Sequence, residues 1–363
     1  MIADAQLTVR SLDVRAVRVP LSRPHATAGG TVSEAPLVLI DLMTDEGITG
    51  SAYVFCYTPL ALAPVARLVE NLEAVIAGMP LAPLAIERAL QARFRLLGPQ
   101  GLTGIAMAAI DMAAWDALAR AVGLPLVRLL GGESRPTLVY HSLGMGGAEL
   151  AGREAEESAT AGFRGVKYKV GYPDVQTDLA VVRAARTAGG DDLVIMVDYN
   201  QSLDVPEAVR RGRLLDREGV GWIEEPTTAD DVAGHAQIAR EVTTPIQLGE
   251  NWWGTHDMAK SLAAGASDYV MVDLMKIGGI SGWLRAAALA EPGGVRLSSH
   301  LFPEVSVHLM TVTPSAHWLE WLDLASPILQ EPLRIVDGYA TPGDAPGSGI
   351  AWNEEAVARY FVE

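Results

Sequence analysis

Three short apolar runs in the chain each end on a carboxylate: LVIMVDYN on Asp198, VGWIEEP on Glu224 and PIQLGEN on Glu250. The acids lie 26 and 26 residues apart, about the length of one strand, one helix and two loops, so they recur once per βα unit. In a closed parallel barrel the strand ends share one mouth, and three carboxylates gathered there without cations repel one another strongly. A hard divalent cation relieves that repulsion. All-oxygen ligation, with neither cysteine nor histidine at these positions, points to Mg²⁺ before Zn²⁺. A single acid after a strand often serves only to cap the next helix, but three in register rarely do.

Other apolar runs also end on polar residues. In chain order the strand ends offer Ser142, Lys167 with Lys169, Asp198 with Asn200, Glu224, Glu250, Asp273, His300 and Glu320. Catalytic groups of barrels sit at this end of the strands. Lys167 and Lys169 are two apart on a strand and share a face, so both ammonium groups are expected inside the barrel. Two lysines held close lower each other's pKa, which moves one toward use as a base. Asp273 and His300 end adjacent strands, where the carboxylate fixes the imidazole tautomer and raises the basicity of its far nitrogen. Alternation turns Tyr168 and Glu225 outward to the helix layer. His25, His235, His256, His308 and His317 are not read as catalytic groups.

The elements that position these residues fall into two patterns. Leu7 to Val19 alternates like a strand and stops at Pro20, before a loop, SRPHATAGGTVSEAP, centred on Gly29 and Gly30. LVLIDLMT and ITGSAYVF flank Asp45-Glu46-Gly47 as an antiparallel hairpin. Helical periodicity then runs from Pro59 to about Val122 in three segments. Strands followed by helices indicate an α+β domain over 1–130. From Thr137 the order changes to alternation, with eight strand candidates: Leu138–Ser142, Gly165–Val170, Leu193–Asp198, Gly221–Glu224, Ile246–Glu250, Tyr269–Asp273, Val295–His300 and His317–Glu320. That is the count and spacing of a (β/α)₈-type barrel over 131–325, although the helix after His300 has only LFPEVSVHLMTVTPSA to occupy. The Gly/Pro-rich tail, 326–363, is expected to return to the N-terminal domain.

Composition narrows the partners. With 363 residues and 49% hydrophobic content the chain can bury a large core, and a net charge of −16 argues against nucleic acid or an anionic membrane. One cysteine, Cys56, allows no intrachain disulfide, and the first residues carry neither a basic segment nor an apolar leader. A cytoplasmic protein acting on a small-molecule carboxylate is expected.

The series KYK, MVDYNQ, WIEEP, LGENWW, VDLMKIGG, SSHLFPE and HWLEWLDLA resembles, in order and spacing and over nearly the whole chain, the mandelate racemase subgroup of the enolase superfamily. The resemblance implies an α/β fold: an α+β capping domain over a modified (β/α)₇β barrel. It implies Mg²⁺ on Asp198, Glu224 and Glu250, Lys169 as base on one face of the substrate, and His300, oriented by Asp273, as base on the other. Lys167 would neutralise the substrate carboxylate, a protonated Glu320 would donate to it, and Ser142 and Asn200 would contact substrate oxygens. A carbon acid beside a carboxylate is very weak, so these groups together must stabilise the enediolate formed on proton removal. A homo-oligomer is also implied, since the family forms octamers of paired subunits.

The capping loop departs from the pattern. In the family's namesake, aliphatic residues of this loop pack on an aryl group; here it reads His25-Ala26-Thr27-Ala28-Gly29-Gly30-Thr31-Val32. Phe55, Tyr57, Leu301 and Leu322 still offer apolar walls, which suit an aryl or alkyl hydroxy acid. Three functions compete: 1,1-proton transfer on an α-hydroxy carboxylate, dehydration of an acid sugar with the same metal and bases, and a catalytically silent barrel used for binding.

Overall fold

A computed structural model of the chain describes residues 7–27 and 30–362. The first pattern becomes an antiparallel three-stranded sheet of β1 (Val9–Thr27), β2 (Gly30–Thr44) and β3 (Thr49–Phe55). The β2–β3 turn falls on Asp45-Glu46-Gly47, where Gly47 supplies a φ of +83°. Helices α1 (Pro59–Ile76), α2 (Pro83–Arg93) and α3 (Leu102–Ala121) follow, then a short α4 (Leu126–Leu129). α3 is long and apolar enough to cross a membrane by length and composition, but it is mostly buried in the fold as a core helix. It lies so close to β3 that a Cβ on Gly50 would come within 2.1 Å of the Ala113 carbonyl.

The strand expected to stop at Pro20 does not stop there. β1 continues to Thr27, and β2 pairs with it through His25–Val32, Ala26–Thr31 and Thr27–Gly30, after a register break between Pro20 and His25. Pro20 and Pro24 lack the N–H that a ladder needs, so pairing lapses over them and resumes at the β-branched Thr31 and Val32. The expected loop is therefore a hairpin. Gly29, at its centre, lies outside the described residues.

The barrel strands are β4 (Thr137–Leu143), β5 (Gly165–Lys169), β6 (Val194–Asp198), β7 (Ile223–Glu224), β8 (Ile246–Leu248), β9 (Tyr269–Asp273), β10 (Leu297–His300) and β11 (Leu319–Trp321). All eight apolar runs are strands, and β4 to β10 pair in parallel in sequence order. β11 pairs with β4, and Ser299 N donates to Trp318 O at 3.0 Å, so the sheet closes. Between the strands run α5 (Gly147–Thr160), α6 (Val175–Gly189), α7 (Val205–Leu215), α8 (Val232–Glu241), α9 (Thr255–Ala264), α10 (Leu274–Ile277) with α11 (Gly279–Ala290), and α12 (Pro303–Val312). α12 occupies the stretch whose helix was in question; it is buried almost all round and so shows no amphipathic stripe. After β11 the chain passes into the tail instead of an eighth barrel helix, giving (β/α)₇β. The tail forms β12 (Ile335–Val336) and β13 (Tyr339–Ala340), which pairs with β4, and then α13 (Glu354–Tyr360). Val362 N donates to Ala16 O at 2.9 Å and Trp352 Nε1 to Asp41 Oδ1 at 2.9 Å, tying the tail to the N-terminal sheet.

The barrel interior is layered. Tyr140, Met196, Trp222, Met271 and Trp318 form one buried cluster. Each stands two residues before a strand-end polar group: Ser142, Asp198, Glu224, Asp273 and Glu320 in turn. A period of two puts both members of each pair on the inner face, so an aromatic and thioether floor supports a layer of charge.

Candidate active site

Backbone conformation aims the strand ends. Six of the seven non-glycine residues with positive φ among the described residues, Tyr57, Asn200, Gln201, Glu225, Leu301 and Phe302, lie where the chain leaves a strand at the barrel mouth. At the end of β8, Gly249 has φ +135°, and a Cβ there would sit 2.4 Å from the Met271 carbonyl. Only glycine fits, and the turn it makes delivers Glu250 to the mouth.

Asp198, Glu224 and Glu250 are all buried and offer one oxygen each within 4.8 Å of one another. None caps a helix. Capping falls instead to Asp174, Asp204 and Asp231, which accept from backbone N–H groups of α6, α7 and α8. The donor set fits Mg²⁺: Glu250 Oε2 and Asn200 Oδ1 are buried without a hydrogen bond, and three carboxylate oxygens converge. Burial pushes Asp198 up, but Lys169 and Lys167 outweigh it and hold the carboxyl at about 2. Burial and the neighbouring carboxylates together drive Glu224 well above its ordinary range despite Lys167.

The lysines enter the barrel as their spacing requires. Lys167 Nζ donates to Glu224 Oε1 at 2.6 Å, lies 3.0 Å from Glu320 Oε1 and 3.8 Å from Asp198 Oδ2, and is fully buried. Lys169 Nζ pairs with Asp198 Oδ2. The expectation that two lysines depress each other is corrected here. Burial and Lys167 lower Lys169, but Asp198, Glu250 and Glu224 outweigh them and its pKa is raised. Glu320 is corrected too. Burial pushes it up, yet Lys167, His300, Lys169 and the Leu301 N–H, which donates at 2.9 Å, hold it below the ordinary carboxylate range.

His300 Nδ1 donates to Asp273 Oδ2 at 2.7 Å, leaving Nε2 directed at the mouth, 3.3 Å from Glu250 Oε2. Burial lowers the imidazole, but Glu250, Glu320 and Asp273 outweigh it and raise its basicity. Asp273 also caps α10 through Oδ1, which accepts from Lys276 N at 2.8 Å, so both its oxygens are fixed. Lys169 on β5 and His300 on β10 approach from different sides of the closed sheet.

A cavity of about 780 Å³ opens over these groups. Lys169, Asn200, Glu250 and His300 reach its wall, as do Phe55, Tyr57, Leu301 and Leu322; Lys167, Asp198, Glu224 and Glu320 are packed beneath it. Ser142, beside Lys167 in the sheet, has a buried hydroxyl without a partner. Tyr168 turns outward as expected and donates to Ala151 O of α5 at 2.7 Å. Glu225 does not turn outward. β7 ends at Glu224, and with φ +38° the next residue folds back to the mouth, where its oxygens accept from Asn251 Nδ2 at 2.8 and 2.9 Å. Burial and then Glu250 push Glu225 up to about 8. Asn251 Oδ1 accepts from Lys276 Nζ at 2.5 Å, and that ammonium lies 4.6 Å from the centre of the Tyr57 ring. Sequence reasoning missed this chain of contacts, although Asn251 and Lys276 stand inside LGENWW and VDLMKIGG. It also passed over His25, which lines the cavity from the hairpin.

A closed barrel with an acid triad, two inward lysines and an Asp–His pair at one mouth, under an α+β cap, defines a metal-dependent enzyme of the enolase superfamily. Residues 151–356 match the enolase C-terminal domain-like family and residues 9–131 the N-terminal domain of mandelate racemase and muconate lactonizing enzyme. The chain belongs to the mandelate racemase subgroup of that superfamily. An enolase from Bradyrhizobium, solved with magnesium and mandelic acid, superposes with a TM-score of 0.96 at 46% identity, covering 99% of this chain and 100% of that one. L-talarate/galactarate dehydratase of Salmonella typhimurium is 35% identical over 72% of this chain and 66% of its own length. The 3,6-anhydro-alpha-L-galactonate cycloisomerase of Streptomyces coelicolor is 30% identical over 95% and 97%. The acid triad is able to hold the Mg²⁺ cofactor.

Proposed function

We propose that the chain is a racemase or epimerase that abstracts the α-proton of a 2-hydroxy carboxylate, mandelate or a related aryl or alkyl hydroxy acid, using two bases. The observation that carries this reading is that Lys169 and His300 enter the cavity from different sides, under walls of Phe55, Tyr57, Leu301 and Leu322. Lys167 is set to receive the substrate carboxylate, and that anion would displace it from Glu320. Released from Lys167, the buried Glu320 is pushed toward its protonated form and can donate to the enediolate. Lys169 Nζ takes or returns the proton on one face; His300 Nε2, held by Asp273, does so on the other. Mg²⁺ supplies fixed positive charge beside the carboxylate oxygens where negative charge develops. The likeness to the enolase bound to mandelic acid supports the substrate class.

The likeness to the galactarate dehydratase favours a second reading, in which the same enolate expels a 3-hydroxyl from an acid sugar. Incubation of each mandelate enantiomer with enzyme and Mg²⁺ in D₂O, read by mass and chirality, separates the two. Racemisation with one deuterium gained is expected. No exchange on any aryl or alkyl hydroxy acid, together with a keto acid formed from galactarate, would establish dehydration instead.

A further inference from the structure

We propose that His25 of the capping hairpin determines specificity, by hydrogen-bonding a neutral hydroxyl on the distal part of the 2-hydroxy acid. The substrate class it selects is a hydroxylated aryl hydroxy acid. His25 is 9% exposed and lines the cavity, and no hydrogen bond to its ring is found among the described residues. The residue is nine-tenths buried, yet its ring nitrogens are not sealed off from the cavity, so a polar group of a bound ligand can pair with them.

Its aim is fixed from both sides. Arg23 NH2 donates to Glu157 of α5 at 2.5 Å, and Arg23 NH1 lies 3.6 Å from Glu154. On the other side Met145 N donates to Ala26 O at 2.7 Å, and Gly144 lies so close that a Cβ would be 2.8 Å from Ala26 N. The hairpin is thus pinned to the first βα loop and α5, with His25 between the pins and paired across the ladder with Val32.

The other polar side chains of this wall are occupied or open to water. Arg18 pairs with Glu34 at 2.5 Å, Lys276 serves Asn251, Gln201 Oε1 accepts from Ala229 N, and Thr31 and Ser33 are exposed. Leu21, Val32 and Leu322 supply apolar surroundings. Burial, and then Lys169, lower the imidazole to about 4, so it is neutral and offers one donor and one acceptor. A phenolic or alcoholic hydroxyl matches that pair of roles. Among the described residues of this wall a second carboxylate would meet no unpaired cation, which disfavours diacids.

This inference rests on the racemase reading, and the test keeps the two apart. kcat/KM for α-proton exchange in D₂O is compared for mandelate and its ortho, meta and para ring-hydroxylated forms, with wild type, His25→Val and His25→Gln. In wild type at least one hydroxylated isomer is expected to exceed mandelate about tenfold. His25→Val should bring that ratio to about one, the worth of one neutral hydrogen bond, chiefly through KM. His25→Gln, which can still donate and accept, should keep part of the preference; circular dichroism and melting verify the fold. An unchanged ratio in an exchanging His25→Val enzyme, or a wild type that prefers mandelate, overturns the role of His25 alone. A wild type that exchanges none of these acids overturns the racemase reading and this inference with it.

Discussion

Against burial, Lys169 is raised in basicity by the three carboxylates that form the metal triad, and His300 by one of them, Glu250, together with Glu320 and Asp273. A divalent cation on Asp198, Glu224 and Glu250 neutralises that field, so basicity at Lys169 Nζ is linked to occupancy of the metal site. Glu250→Gln removes one oxygen ligand, and Mg²⁺ affinity measured by calorimetry is expected to fall beyond the roughly 10–100-fold that loss of an outer-shell partner costs. The two bases separate by enantiomer. His300→Asn should lose racemisation by about 10²–10⁴-fold while Lys169 still exchanges the α-proton of one enantiomer, and Lys169→Met should leave only the other exchangeable. Proton NMR in D₂O reads both, and unimpaired racemisation by His300→Asn would remove the two-base reading. Most of this constellation is legible in the sequence because strand alternation and βα spacing fix which side chains face inward. Glu225 is not, because alternation ends with the strand and its φ of +38° cannot be read from WIEEP. The charge states of Lys169 and Glu320 are also hidden, since they depend on distances to carboxylates brought together from other strands.

At the scale of elements, the capping hairpin is where sequence and structure diverge most. Two prolines and paired glycines read as a loop, yet β1 and β2 continue to Thr27 and from Gly30 because long-range pairing and docking on the barrel override local signals. What docks it is mostly backbone: the Met145–Ala26 hydrogen bond and the bare Cα of Gly144. Gly144→Val must push Ala26 away, because its Cβ alone would stand 2.8 Å from Ala26 N. The expected result is a rise in KM with a fall in kcat/KM of about tenfold or more, since the hairpin carries one wall of the substrate cavity. Far-UV circular dichroism should be unchanged, as the barrel ladder is untouched. A variant with unaltered KM would show that the hairpin's closeness to this loop does not govern binding.

At the scale of the whole molecule, the cap is joined to the barrel by two buried carboxyls. Asp111 of α3 accepts from Ser281 of α11, at 3.0 Å from its N–H, and Glu304 of α12 accepts from the Tyr53 hydroxyl of β3 at 2.6 Å. Burial pushes both up to about 7, from 3.8 and 4.5, against the pull of those donors. A carboxyl raised on folding binds more protons in the native state than in the unfolded one between its two pKa values. Its contribution therefore favours folding at low pH and is lost as pH rises from about 4 to about 7. For Glu304 the loss is on the order of 3 kcal/mol at most. Other groups also change charge with pH, so the informative quantity is the difference between wild type and Glu304→Gln. Glutamine keeps an oxygen for Tyr53 and cannot ionise. Its melting temperature relative to wild type should rise between about pH 4 and about pH 7 and level off above, by at most roughly 4 °C for a chain of this size. A difference that stays constant across that range would mean that Glu304 is ionised throughout, and that the cap–barrel junction tolerates buried charge.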